Sequence, residues 1–166
     1  MVYFCLDCEA SGPLPPLYNL LSVGITVVRP ADGRHEIGES FYIELKPIFP
    51  GFDEGALAVC GLDPERLKVE GVDPEEAMVR IRAWVLAHNI PSDERPVFVG
   101  HNAVFDWAYV HYYYRHFGMS NPFGYKGIDS KSLAMGRLGL AWNETSKENL
   151  EHVLGLPSQD PDKIHR

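Results

Sequence analysis

The chain opens on an apolar run. Val2 to Cys8 is hydrophobic apart from Asp7 and stops at Ser11-Gly12-Pro13, the pattern of a strand buried on both faces. Leu20 to Val28 is a second such run, closed by the turn-rich segment Arg29-Pro30-Ala31-Asp32-Gly33. In a third, Glu39 to Leu45, the residues Phe41, Ile43 and Leu45 alternate with polar partners, the period of a pleated strand. The short turns between these runs predict an antiparallel meander. After a loop from Lys46 to Gly55 the period becomes helical. Asp73-Pro74-Glu75-Glu76 carries an N-cap acid, a proline at the first helical position and a capping-box acid, followed by Met78, Ile81 and Val85 on one stripe. Pro96 to Val99 reads as a short strand and Asn102 to Phe117 as an aromatic-rich helix. Lys126 to Asp129 reads as a last strand, with helical stretches from Ser130 and Ser146 and a further helix start at Asp160-Pro161.

Three strands followed by strand and helix alternation predict an α/β domain with a mixed central sheet, three antiparallel strands and then parallel ones, flanked by helices. A length of 166 residues fits one domain spanning 1–166. The stripe of Tyr109, Tyr112 and Tyr113 reads as core, with a homodimer interface as the alternative.

Charge narrows the function classes. A formal net charge of −8, from 15 Lys and Arg against 23 Asp and Glu, argues against a broad positive surface for nucleic acid. A compact cluster of carboxylates is a different matter, since cations held there attract phosphate. The three cysteines are an odd number, and the chain enters its first strand without a charged and apolar leader, so a reducing, cytoplasmic setting is expected. Cys5 and Cys8 point to opposite faces of a strand, which argues against a shared metal. No apolar run approaches the roughly 20 residues of a membrane span.

Asp7 and Glu9 carry the first chemical signal. Residues two apart in a strand share a face, so both carboxylates project to one side while Leu6 and Cys8 face the other. Like charges held together call for a cation, and hard oxygen ligands suit a divalent ion. The bland alternative is a pair of exposed acids at a strand end. The second signal is Gly100-His101-Asn102-Ala103-Val104-Phe105-Asp106, a strand, a turn and a helix opening, with Asp106 one turn into the helix near the carboxyl end of the strand. Alternatives are Asn102 as an N-cap, His101 as a turn residue, Phe105 as core and Asp106 as an acid favoured by the helix dipole. The third is His165, a lone histidine for which a structural role is the default.

Together these segments resemble a known family. Phe4-Cys5-Leu6-Asp7-Cys8-Glu9-Ala10-Ser11-Gly12 resembles the first motif of the DEDDh exonucleases, and Gly100 to Asp106 is similar to their second. Val59-Cys60-Gly61-Leu62 resembles the family's His-Gly-Ile/Leu segment with Cys60 in place of the histidine, and Ile128 to Leu133 resembles the segment between the second and third motifs. The resemblance implies a ribonuclease H-like exonuclease fold and a 3′→5′ exonuclease that releases mononucleotides from a single-stranded DNA or RNA 3′ end, using two Mg²⁺ or Mn²⁺ ions. It implies Asp7, Glu9 and Asp106 as metal ligands and His165 as general base. It further implies the backbone at Ala10 and Ser11, and the side chains of Leu62, His101 and Phe105, as contacts to the terminal nucleotide.

One element of the pattern is missing. The family's last ligand is an aspartate five residues after the histidine, a position past Arg166, so the expectation is an exonuclease domain without its C-terminal helix and with weak activity. Asp160 and Asp162 are the nearby acids, displaced from the matching position by helix geometry. Two rivals follow: a non-catalytic module on the same fold that binds nucleic-acid ends or a protein, and a phosphodiesterase of short oligonucleotides.

Overall fold

The computed structural model describes residues 1–88, 90–91 and 93–157 of the chain. Five strands, β1 (Tyr3–Ala10), β2 (Leu20–Ala31), β3 (Arg34–Glu44), β4 (Val97–Gly100) and β5 (Gly127–Asp129), form one sheet in the order β3-β2-β1-β4-β5. The first three pair antiparallel, while β4 and β5 run parallel to β1, which is the mixed sheet the sequence predicts. Six helices accompany the described strands: α1 (Glu54–Cys60), α2 (Pro64–Glu70), α3 (Pro74–Leu86), α4 (Ala103–His116), α5 (Ser130–Leu138) and α6 (Lys147–Leu154), with a 3₁₀ turn at Trp142–Glu144.

Only one face of β1 is closed. Phe4, Leu6, Cys8 and Ala10 are buried, whereas Cys5 is exposed and Tyr3, Asp7 and Glu9 are partly open. This corrects the expectation of a strand buried on both faces. The apolar letters Tyr3 and Cys5 mimic a buried run, but α3 and α4 cover only the side carrying Phe4 and Leu6. Ile25, Val27, Met78, Ile81, Val85, Phe98, Tyr109, Val110, Tyr113 and Tyr114 share that core. The tyrosines of α4 therefore pack within the chain. Burying such side chains contributes roughly 1.5–3 kcal/mol each.

The β2–β3 hairpin is longer than its hydrophobic pattern. Pairing continues to Ala31 opposite Arg34, and Asp32 and Gly33 alone make the turn, with φ of 46° and 78°. An Asp-Gly pair in the left-handed region is the two-residue turn that matches strand twist, so it overrides the proline at position 30. Residues 34–40 are exposed and carry no amphipathic signal of their own.

Helices α1 and α2 occupy a stretch for which no helix is predicted. Each has only seven residues, too few for a periodic stripe, yet both have aspartate caps. Asp53 accepts from the Ala56 amide, and Asp63 accepts from the Glu65 amide ahead of Pro64. They bury Leu21, Cys60 and Leu67 in a second, smaller cluster.

The connection from β1 to β2 is nine residues long rather than short, and it is fastened internally. Asn19 Oδ1 accepts from the Ile48 and Phe49 amides, and its Nδ2 donates to the Phe49 and Gly51 carbonyls. A Cβ at Gly51 would sit 1.8 Å from the Leu17 carbonyl oxygen, so only glycine lets the two loops approach this closely.

Candidate active site

β4 pairs with β1 only as far as Val99 opposite Cys5, then turns away into α4. Leu6 to Glu9 thus have no strand beside them on that edge. Asp106 of α4 fills the gap: its Oδ1 accepts from the Cys8 amide at 2.8 Å, between Asp7 and Glu9. The Asp106 carboxylate is 3 % exposed, and burial, opposed by the Cys8 hydrogen bond and reinforced by the Asp7 charge, pushes its pKa up to about 7. The Cys8 thiol is raised well above its ordinary value by burial and by the surrounding charges of Asp106, Asp7 and Glu9. Three acids therefore act on one short stretch of β1.

The Asp7 carboxylate turns toward α6, where Lys147 Nζ lies 3.4 Å from its Oδ1. Both side chains are partly exposed, so the pair is a weak one. No three His, Cys, Asp or Glu side chains among the described residues stand together in a chelating arrangement. The donor set nevertheless fits a divalent cation. It offers hard carboxylate oxygens from two neighbouring elements, and for the buried Asp106 the backbone donors and the Lys147 charge do not offset burial and the Asp7 charge.

Asp129, at the end of β5, builds the turn before α4. Its Oδ1 accepts from the Asn102 and Ala103 amides at 2.8 and 3.0 Å, and its Oδ2 accepts from the Ser132 amide and hydroxyl. One carboxylate caps both α4 and α5. Asn102, for which a cap is the alternative reading from the sequence, sits at φ 65° and makes no side-chain cap bond. Burial would raise Asp129, but the donors from Ser132, Ala103 and Asn102 prevail and hold it at about 2.

The residues assigned to the terminal nucleotide occupy distinct settings. His101 Nδ1 is 2.9 Å from Ser130 Oγ, and its pKa is lowered by burial and by the Lys147 and Lys131 charges. Phe105 is half-buried and meets Tyr109 edge-on at 5.3 Å. Leu62 is half-buried against the Leu21–Cys60–Leu67 cluster. Ala10 is buried at the end of β1. Ser11 is fully buried; its amide donates to the Asn19 carbonyl, its carbonyl accepts from the Asp53 amide and its hydroxyl donates to the Gly51 carbonyl. All of its polar groups are committed, so what it offers a ligand is the shape of the loop. His165, Asp160 and Asp162 lie outside the described residues.

Sequence reading passes over two residues of this site. The capping role of Asp129 toward α5 has a signal, an aspartate before Ser130-Lys131-Ser132, but its reach back to Asn102 has none. Lys147 lies 140 residues from Asp7 in sequence, and only its place after the Ser146 cap marks it.

No model of a known protein family matches the chain. It is 36 % identical over 165 residues to the 3′-5′ DNA exonuclease Cap18 of Escherichia coli, an alignment covering 99 % of this chain and 84 % of the relative. Among solved structures it is similar to the nuclease domain of 3′hExo, a DEDDh family member bound to rAMP. That match has a TM-score of 0.80 at 11 % identity and covers 99 % of this chain and 82 % of the other. It is also similar to E. coli exonuclease I in complex with a dT13 oligonucleotide, with a TM-score of 0.72 at 16 % identity, covering 95 % of this chain and 36 % of that one.

Proposed function

Because the chain belongs to the DEDDh family of 3′–5′ exonucleases, we propose that it removes mononucleotides from the 3′ end of single-stranded DNA, with Asp7, Glu9 and Asp106 holding Mg²⁺ or Mn²⁺. The observation that carries this reading is the buried Asp106 carboxylate locked to the amide between Asp7 and Glu9. The preference for DNA rests on the relative at 36 % identity.

Bound divalent ions would supply charge neutralisation at the scissile phosphate and lower the pKa of water. The chain's own residues do the rest. Asp106 is kept dry and in register with β1, so its charge is available only to a cation brought next to it. Phe105 and Leu62, both half-buried, provide apolar surface for a terminal base without reading its identity. His101, held by Ser130 and lowered in pKa, stays neutral near pH 7 and can form a hydrogen bond to the terminal sugar or phosphate. His165 is the base proposed to take the proton of the attacking water.

A 5′-labelled 20-mer, as DNA and as RNA, with its 3′ end free or blocked, tests the reading in Mg²⁺ and Mn²⁺. The expected result is a ladder descending from the free 3′ end of DNA, no ladder on the blocked strand and none with D7A. A strand that is retarded on a gel but never shortened would instead identify an end-binding module.

A further inference from the structure

A basic and aromatic corner adjoins the carboxylates, on the helices that follow β5. Lys147 opens α6 and reaches Asp7, while Ser130 opens α5 and holds His101. Lys131, the next residue, lays its ammonium 4.2 Å from the centre of the Trp142 ring. The charges of both lysines act on His101. Asp7 and Lys147 on one side, and His101, Ser130, Lys131 and Trp142 on the other, thus gather beside the acids.

Two features set this corner apart in an acidic chain. Its outer end is not paired with an acid: Asp7 holds Lys147, and the charges of Asp129 and Glu148 act on His101, but among the described residues no carboxylate pairs with Lys131. The second feature is the indole of Trp142, which is 52 % exposed although a ring of that size gains much from burial. Carried on the 3₁₀ turn with an ammonium beside it, the ring keeps open area for a further planar group.

We propose that Trp142 and Lys131 form a second nucleotide subsite, which takes a base and a phosphate of the single strand leading up to the terminal nucleotide. An exposed indole stacks on any base, because every base has a π-face, and the ammonium beside it meets the backbone charge. This subsite rests on the exonuclease reading above and names how the enzyme holds a strand rather than a lone nucleotide.

The test compares wild type, W142A, W142F and K131M on two probes: a 20-mer of deoxythymidine and the p-nitrophenyl ester of thymidine 5′-monophosphate, which has no strand to engage the subsite. For W142A the ratio of kcat/KM on the 20-mer to kcat/KM on the ester is expected to fall about tenfold. W142F should recover most of that ratio, and K131M should lower it about threefold, with a shallower dependence on salt. Fluorescence anisotropy of the labelled 20-mer in Ca²⁺ should show the same order of affinities. Equal ratios in wild type and W142A, or equal affinities, would overturn the subsite. A 20-mer that wild type binds but never shortens would count against the exonuclease reading alone, and the affinities would still judge the subsite.

Discussion

Two aspartates flank the first turn of α4, and the protein treats them in opposite ways. Asp129 receives hydrogen bonds from three backbone amides and a hydroxyl and is held at about 2, so its charge is fully used in joining β5 to two helices. Asp106 is bonded by the amide of Cys8 and by its own backbone, but burial and the charge of Asp7 prevail and it rises to about 7. The difference separates architecture from chemistry. The structural carboxylate is surrounded by donors that hold its charge, whereas the one proposed for the metal is buried with too few of them to do so.

Substitutions can break this contrast. The largest effect is expected from D106N, which keeps the shape but removes the charge: nuclease rate should fall by about 10³-fold or more, the scale of losing the metal ligand proposed above. The same variant should alter the pH dependence of stability. Because the folded value of Asp106 lies above its ordinary value of 3.8, the folded state holds the proton more tightly, and stability present below pH 4 is lost as pH rises toward 7. In chelator, the wild-type Tm should therefore decline across that window while D106N stays flatter, and saturating Mn²⁺ should remove the decline. A wild-type profile that matches D106N in chelator would show that Asp106 is not strained by its charge.

D129N comes next and should be mainly a stability variant. Losing the paired cap is expected to cost roughly 2–3 kcal/mol in urea unfolding near neutral pH, and the gap to wild type should narrow in acid, because the stability that wild type draws from this depressed carboxyl disappears as pH falls from about 4 through its folded value of about 2. Mn²⁺ affinity of the folded fraction should change little. K147M is the smallest. Removing the ammonium that competes for Asp7 should tighten Mn²⁺ binding by up to about fivefold in calorimetry, the scale of an exposed pair. Weaker binding in K147M would make the lysine a partner of the metal site rather than its placeholder.

The contrast also explains what can be read from letters alone. Asp7 and Glu9 are visible because a two-residue interval in a strand puts both on one face, and α3 is visible because Asp73, Pro74 and the stripe through Met78, Ile81 and Val85 agree. Joint spacing of Gly100 to Asp106 behind β4 makes the second half of the site legible. Contacts across the fold are not. Nothing near Lys147 or Asp129 in sequence announces Asp7 or Asn102, since those meetings depend on where α6 and β5 dock. Helices α1 and α2 escape for a local reason, being too short for periodicity, although Asp63-Pro64-Glu65 repeats the signature that marks α3.

The early departure of β4 from β1 has a geometric consequence for the interval between Gly100 and Asp106. The amide of Cys8, which no strand takes up, works as a locating notch, and the carboxylate must arrive there from one turn along α4. Each residue of helix rotates its successor by about 100°, so inserting or deleting a single residue in that interval would swing the side chain away from the notch. The count of residues, more than their identity, is what indexes the helix to the strand.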